Sequence, residues 1–498
     1  MKKMKHAKKL ASLLMALVMV LGMSVGTTVT AFAANTNAHT ITITNDKSGH
    51  TYTAYQVFAG DISNGKLTNI VWGSGVKGDE LLAELRGLET YKDCENAEAV
   101  ADVLAKFADN SAELDAFAKI VNKHLGTAAG KSGTEPTYTI SVTGDGYYLV
   151  KDTAAVTGDD AATKIILKVL GNVEVAPKSS TPSIDKVIVN ADTDNGKGTA
   201  QDVGSVVTFK LTSTIPAMDG YDTYKYVVKD TMSAGLTPVD VNGDGKIDVA
   251  VTIGGNEYTD FTVDQDGQSF TITFANLKGQ TVGAAMEITY SATINTSALI
   301  KDKETNTVYL QYSNDPNNAS SLGQTPEKVV YVYDFDIVID KYASGTNAKL
   351  SGAKFILYKK DDSVKKYYKY ADGVVSWVED ANAATEVTTD ANGAAKFQGL
   401  DSGTYYLHET EAPAGYNLLK NDVEVTITAT YGDDGQITSS SATSTNNGQY
   451  QQVQKIENKS GTILPSTGGM GTTLLYIIGA ILVVGAGVLL VARRRMHS

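Results

Sequence analysis

The sequence predicts a mainly β protein of three tandem β-sandwich domains, the first with a helical insertion, set between an apolar leader and an apolar terminal helix. Three observations carry that prediction. Apolar and polar residues alternate in short runs along most of the chain, as in strands with one buried face. Clusters of Gly, Asn and Asp separate the runs, and 46 Gly and 26 Tyr suit many turns and many half-buried strand faces. Only in one stretch of the first domain does the period lengthen to that of a helix.

Residues 1–33 carry five lysines, then an apolar run, then Ala31-Phe32-Ala33 as a small-residue cleavage site, and read as a secretory signal peptide. The first domain, 34–178, opens on the alternating HTITITN and YTAYQVF. In EAVADVLAKF and AELDAFAKIVNKHL, the residues Val100, Leu104 and Phe107, then Leu114, Phe117 and Val121, fall at helical spacing, with Asn110 and Glu113 placed as an N-terminal cap. Strands return in YTISV, GYYLVKD, KIILKVL and VEV. The middle domain, 179–333, is strand throughout: SVVTFKLTST, YKYVVKD, DVAVTIGG, SFTITFANL, MEITYSATI and NTVYLQYSN. The third, 334–460, repeats the pattern in FDIVIDKY, AKFILYKK, GTYYLHET, DVEVTITAT and QVQKIEN, and both resemble immunoglobulin-type sandwiches.

Residues 461–498 close the chain. The run 474–492 has no charge and as a helix reaches about 28 Å, enough to cross a bilayer core. Arg493, Arg494 and Arg495 follow at once and keep the tail cytoplasmic, so the bulk of the chain lies outside.

Signal and tail hold eight of the 43 Lys and Arg and none of the 56 Asp and Glu, which leaves 35 basic against 56 acidic groups, a net of −21, in the exported part. Such an exterior disfavours nucleic acid as a partner. Cys94 is the one cysteine, so no disulfide forms within the chain, and it reads as incidental. An exported β protein of this size needs other reinforcement. His39, His50, His124 and His408 are scattered without metal-ligand spacing, and neither GxSxG nor a phosphate-binding loop occurs, so neither an enzyme active site nor a cofactor is expected. Asp240, Asn242, Asp244 and Asp248 occupy alternate positions of DVNGDGKID like the start of a calcium loop, with Val251 where the closing carboxylate belongs; NGDG is equally a hairpin turn.

Two lysines raise a physical problem. In Ile184-Asp185-Lys186-Val187-Ile188, strand alternation turns Lys186 to the face of Ile184 and Ile188. Lys341 recurs at the equivalent place in Ile337-Val338-Ile339-Asp340-Lys341. A buried ammonium is expensive, and its repetition at the start of two sandwiches calls for a chemical reason.

Leu464, Pro465, Ser466, Thr467 and Gly468 form an LPxTG pentapeptide before the apolar span and the arginine cluster. This arrangement resembles the cell-wall sorting signal of Gram-positive surface proteins, which implies cleavage by a sortase between Thr467 and Gly468 and transfer of Thr467 to an amine. Val173-Glu174-Val175-Ala176-Pro177-Lys178 resembles the pilin motif of sortase-assembled pili, with Ala176 in place of the tyrosine, and Lys178 takes the place of the linking lysine. The proline fixes φ and removes a strand donor, which ends the strand before the amine. Tyr405, Leu407, Glu409, Thr410, Ala412, Pro413, Gly415 and Tyr416 match the E-box of Cna-B-type domains.

The resemblance is to the major (backbone) pilins, and it implies a secreted, wall-anchored subunit of a covalent surface fibre. Its implied partners are a pilus-specific and a housekeeping sortase, identical subunits, tip and basal pilins, and peptidoglycan. It further implies an isopeptide bond between Lys341 and Asn458 with Glu409 as the acid, and one between Lys186 and Asn314 with Asp230 as the acid. Burial would leave the lysine a neutral amine and the carboxyl protonated, and the acid would polarise the amide as ammonia leaves. The first domain has Lys151 where an E-box glutamate would stand and no lysine in its first strand, so no internal bond is expected there. A monomeric wall-anchored adhesin with isopeptide-stabilised stalk domains is the alternative.

Overall fold

The computed structural model describes residues 37–461, apart from 46, 109–110, 134–136, 155–157, 159, 177–180, 317 and 445–447, and residues 470–495. The signal segment, Lys178 and the pentapeptide 464–468 lie outside the described residues.

The first domain has two sheets. β1 (Ala38–Thr44) lies between β3 (Thr137–Thr143), antiparallel, and β5 (Val173–Val175), parallel. The second sheet is built on β2 (Tyr52–Ser63) and β4 (Gly146–Asp152). The helical insertion is larger than the periodicity indicated. α1 (Gly78–Leu85) precedes α2 (Ala97–Leu104) and α3 (Ala112–Lys123). α1 opens on Gly78, a weak helix former, and so did not announce itself. α3 is capped by Ser111, whose Oγ accepts from Leu114 N, one residue beyond the expected Asn110. Val100, Leu104, Phe117 and Val121 are fully buried, and Cys94 sits among them. Burial pushes its thiol pKa up, which suits an inert core residue.

In the middle domain, β6 (Ile184–Ile188) is the edge of a sheet continued by β7 (Val206–Thr214) and β9 (Ala285–Ile294). The facing sheet contains β8 (Tyr226–Met232), β10 (Glu304–Ser313) and β11 (Lys328–Tyr333). Alternation is strict on β9, where Met286, Ile288, Tyr290, Ala292 and Ile294 point inward.

The third domain starts with β12 (Phe335–Ala343), pairs β13 (Lys354–Asp361) with β14 (Gly403–Glu411) in the other sheet, and ends with β15 (Tyr450–Asn458). β12 and β15 run side by side and parallel, with Lys341 beside Ile456 and Ala343 beside Asn458.

The two junctions differ. Middle and third domains share one continuous apolar core. Their seam adds Val203 N to Gly399 O at 2.9 Å, Trp377 Nε1 to Asp202 Oδ2 at 2.7 Å and Asp401 N to Asp202 Oδ1 at 3.0 Å. The first domain keeps separate cores. It meets the middle domain through polar contacts: Lys119 Nζ is 2.8 Å from Asp222 Oδ1, Gly220 N donates to Asp115, Ala162 N donates to Asn314 O, and Gln324 N donates to Gly158 O.

α4 (Met470–Arg495) includes an apolar stretch long enough to cross a membrane, with mean hydropathy 2.7, and ends in the three arginines.

Candidate functional site

Lys341 sits on an inward position of β12 because Ile337 and Ile339 occupy the same face, and it has no exposure. Its Nζ meets Asn458 Oδ1 and lies 3.3 Å from Ile456 O. Glu409 reaches in from β14 of the opposite sheet. Both of its oxygens accept from Asn458 Nδ2 at 3.1 Å, and Oε1 is 3.7 Å from Lys341 Nζ. The segment that follows the E-box turn helps hold this carboxyl in place. Gly415 adopts φ of +86°, and the turn it permits sets Asn417 O 2.9 Å from Asn458 Nδ2 and Leu419 N 2.9 Å from Glu409 Oε2. Burial lowers the Lys341 pKa and so favours the free amine. The expected trio of Lys341, Glu409 and Asn458 is thus in mutual contact.

Lys186 is also fully buried, on β6 with Ile184 and Ile188, and its Nζ lies 5.4 and 5.5 Å from the ring centres of Phe209 and Tyr290. Asp230, on β8 of the facing sheet, accepts from Lys186 Nζ at 2.6 Å through Oδ2. Burial brings the lysine pKa down to about 8 and pushes the Asp230 pKa up, so both groups move toward their neutral forms.

Asn314 is not at this site. On β10, Val308 is the neighbour of Asp230, and Asn314 lies six positions further on. At roughly 3.3 Å per strand residue that is about 20 Å away. Its side chain takes a hydrogen bond from Ser321 Oγ at 2.7 Å, and its carbonyl receives Ala162 N from the first domain. It belongs to the junction, and the expected pairing with Lys186 is corrected on that ground.

The asparagine beside Asp230 is Asn306. It shares the inward face of β10 with Val308 and Leu310 and has no exposure. Its Nδ2 donates to Tyr290 Oη at 3.2 Å, and Tyr290 Oη donates to Asp230 Oδ2 at 2.5 Å. Sequence reading passed over both residues. A polar Asn306 on the same inward face as Val308 and Leu310 is the kind of signal that singled out Lys186.

The calcium-like loop engages its own backbone. Asp240 accepts from Gly243 N and Gly245 N, Asn242 from Asp244 N, Asp244 from Lys246 N, and Asp248 from Val241 N. Val251, at the closing position, is a buried strand residue. In the first domain Lys151 contacts Asn122 Oδ1 at 3.0 Å from a half-buried position.

Residues 203–316 match the family described as Gram-positive pilin backbone subunit 2, Cna-B-like domain; 335–447 match a prealbumin-like fold domain; and 456–498 match the LPXTG cell wall anchor motif. One chain thus carries a Gram-positive pilin-backbone domain and a cell-wall anchor motif. It is 31% identical over 371 residues to fimbrial subunit type 2 of Actinomyces naeslundii, a match covering 66% of this chain and 63% of that relative, less than two thirds of the relative's length. It is 27% identical over 404 residues to the trypsin-resistant surface T6 protein of Streptococcus pyogenes serotype M6, covering 65% and 71%. Among solved structures, the three-domain T6 backbone pilin of the same organism superposes with a TM-score of 0.52 at 18% identity, over 86% of this chain and 99% of that one, a likeness of fold. The anchor motif and the apolar helix after it make the chain a wall-anchored surface protein.

Proposed function

We propose that this chain is the backbone subunit of a covalent surface fibre. Sortase joins Thr467 of one subunit to Lys178 of the next, and isopeptide bonds formed by the chain on itself lock the middle and third domains. The observation that carries the reading is a pilin-backbone domain and an LPXTG anchor in one chain. Each bond forms once, in its own domain and without turnover, so the chain is a substrate of sortase and a structural protein rather than an enzyme. In the third domain the neutral Lys341 amine attacks Asn458 Cγ, Glu409 polarises the amide and carries a proton to the departing ammonia, and folding supplies the proximity, worth about 7–11 kcal/mol of barrier. In the middle domain the pair is Lys186 and Asn306, with Asp230 as the acid.

The polymer is tested by Lys178→Ala in cells that carry the cognate sortase. The expected result is loss of the high-mass ladder on denaturing gels and of the 178–467 cross-linked peptide. An unchanged ladder without that peptide would overturn the linkage and favour the monomeric wall-anchored adhesin.

A further inference from the structure

Two side chains, Asp230 and Tyr290, make a continuous hydrogen-bonded path from the middle-domain lysine to its asparagine. Lys186 Nζ and Asp230 Oδ2 are 2.6 Å apart, Asp230 Oδ2 and Tyr290 Oη 2.5 Å, and Tyr290 Oη and Asn306 Nδ2 3.2 Å. All four residues are buried, so water is a poor proton carrier here. Asp230 Oδ1 and Asn306 Oδ1 have no hydrogen-bond partner among the described residues. An ionised carboxylate would not leave one oxygen bare in an apolar setting, so the geometry fits an acid that carries a proton. The third domain does without such a path, because Glu409 touches Asn458 Nδ2 directly. In the middle domain Tyr290 stands between acid and amide.

We propose that Tyr290 is a catalytic proton relay for the Lys186–Asn306 bond, handing its hydroxyl proton to the departing amide nitrogen. This rests on the isopeptide reading of the middle domain. The neutral amine attacks Asn306 Cγ and forms the new C–N bond. As the Cγ–Nδ2 bond breaks, the nitrogen takes the Tyr290 proton and leaves as ammonia. Tyr290 Oη regains a proton from Asp230, and Asp230 takes the one that Nζ must lose to become an amide. Tyrosine and acid end as they began, and the balance is one amine and one primary amide converted to one secondary amide and ammonia. The phenol is buried, with the rings of Phe209 and Phe270 at 5.5 and 4.9 Å from its own, and its hydroxyl is held by its hydrogen bonds to Asp230 and Asn306.

The test is a time course of the 186–306 cross-linked peptide in newly synthesised full-length protein, mapped by mass spectrometry for wild type, Tyr290→Phe and Phe270→Leu. The 341–458 peptide in the same molecules reports folding. A positioned general acid contributes about 100-fold or more. Tyr290→Phe should therefore slow the first cross-link at least about tenfold and leave the second unchanged, while Phe270→Leu, which disturbs packing without removing a proton, keeps the wild-type rate. Wild-type kinetics in Tyr290→Phe, or equal slowing in both variants, would overturn the relay. Failure of the wild type to form the 186–306 peptide would instead overturn the isopeptide reading. Should Tyr290→Phe misfold, 3-fluorotyrosine at 290 keeps the shape and makes the hydroxyl more acidic; an unchanged rate would then count against the relay.

Discussion

Glu409→Gln isolates what the third-domain bond contributes. The substitution keeps the size of the side chain and an oxygen for Leu419 N, and it removes the proton that the reaction moves. The bond would close a loop across the 117 positions from Lys341 to Asn458. Treated as a covalent tie on the unfolded chain, that loop is worth about 5 kcal/mol. For a domain of this size each kcal/mol moves the melting temperature by about 3–5 °C, so the third-domain transition should fall by about 15–25 °C. A buried amine left without its acid can only add to the loss. The assay pairs calorimetry with intact mass, in which each bond removes one ammonia. Wild type should lack two ammonias and Glu409→Gln one. Two would refute the role of Glu409. One missing ammonia with a transition within about 5 °C of wild type would refute the entropic account of the bond.

Other outcomes follow from the same geometry. Asn306→Ala should restore one ammonia to the mass and abolish the 186–306 peptide, whereas Asn314→Ala should leave the cross-link intact and cost the middle domain about 1 kcal/mol through the lost Ser321 hydrogen bond, read by thermal unfolding, while the backbone bond from Ala162 to the first domain persists. His50 is buried with Nδ1 2.6 Å from Asp152 and Nε2 3.0 Å from Asp160, and Asp152 chiefly raises its pKa. Tyr52 and Tyr138 are its other close neighbours. A raised histidine contributes stability that is complete below the unfolded value of about 6.5 and is lost as pH climbs through the folded value, so the first domain should melt lower at pH 9 than at pH 6, and His50→Gln should flatten that difference. At the seam of middle and third domains, burial lifts Asp401 to about 7, with Asp202 and Asp192 adding to the rise. Here the folded state holds a proton the unfolded chain gives up, so stability falls as pH rises from about 4 to 7, and Asp401→Asn should gain at least about 1 kcal/mol at pH 8 and lose that advantage by pH 4, measured by thermal unfolding.

Much of this was legible because strand alternation is a strict rule. Lys186 and Lys341 announced themselves as charges on apolar faces, and Glu409 was found through an unusually dense motif. Asn314 misled because its context, YSNDP, looked like the close of a domain, and distance along a strand is invisible until the register of β8 on β10 is known. Tyr290 was hidden for another reason: an inward tyrosine in a chain with 26 of them gives no sign that its hydroxyl has work to do. The helix α1 and the Ser111 cap escaped because short helices are fixed by the sheet they cover more than by their own pattern.

The unequal junctions have a mechanical meaning. In a fibre pulled along its length, the middle and third domains would extend as one stiff bar, since they share a core. Compliance would collect where the first domain leans on the middle one through charged side chains and a few backbone amides. Such a fibre gives a little at one soft coupling per repeat. Because that coupling is made of charges, its give depends on the salt of the surrounding fluid, and the His50–Asp160 contact behind it adds a dependence on acidity.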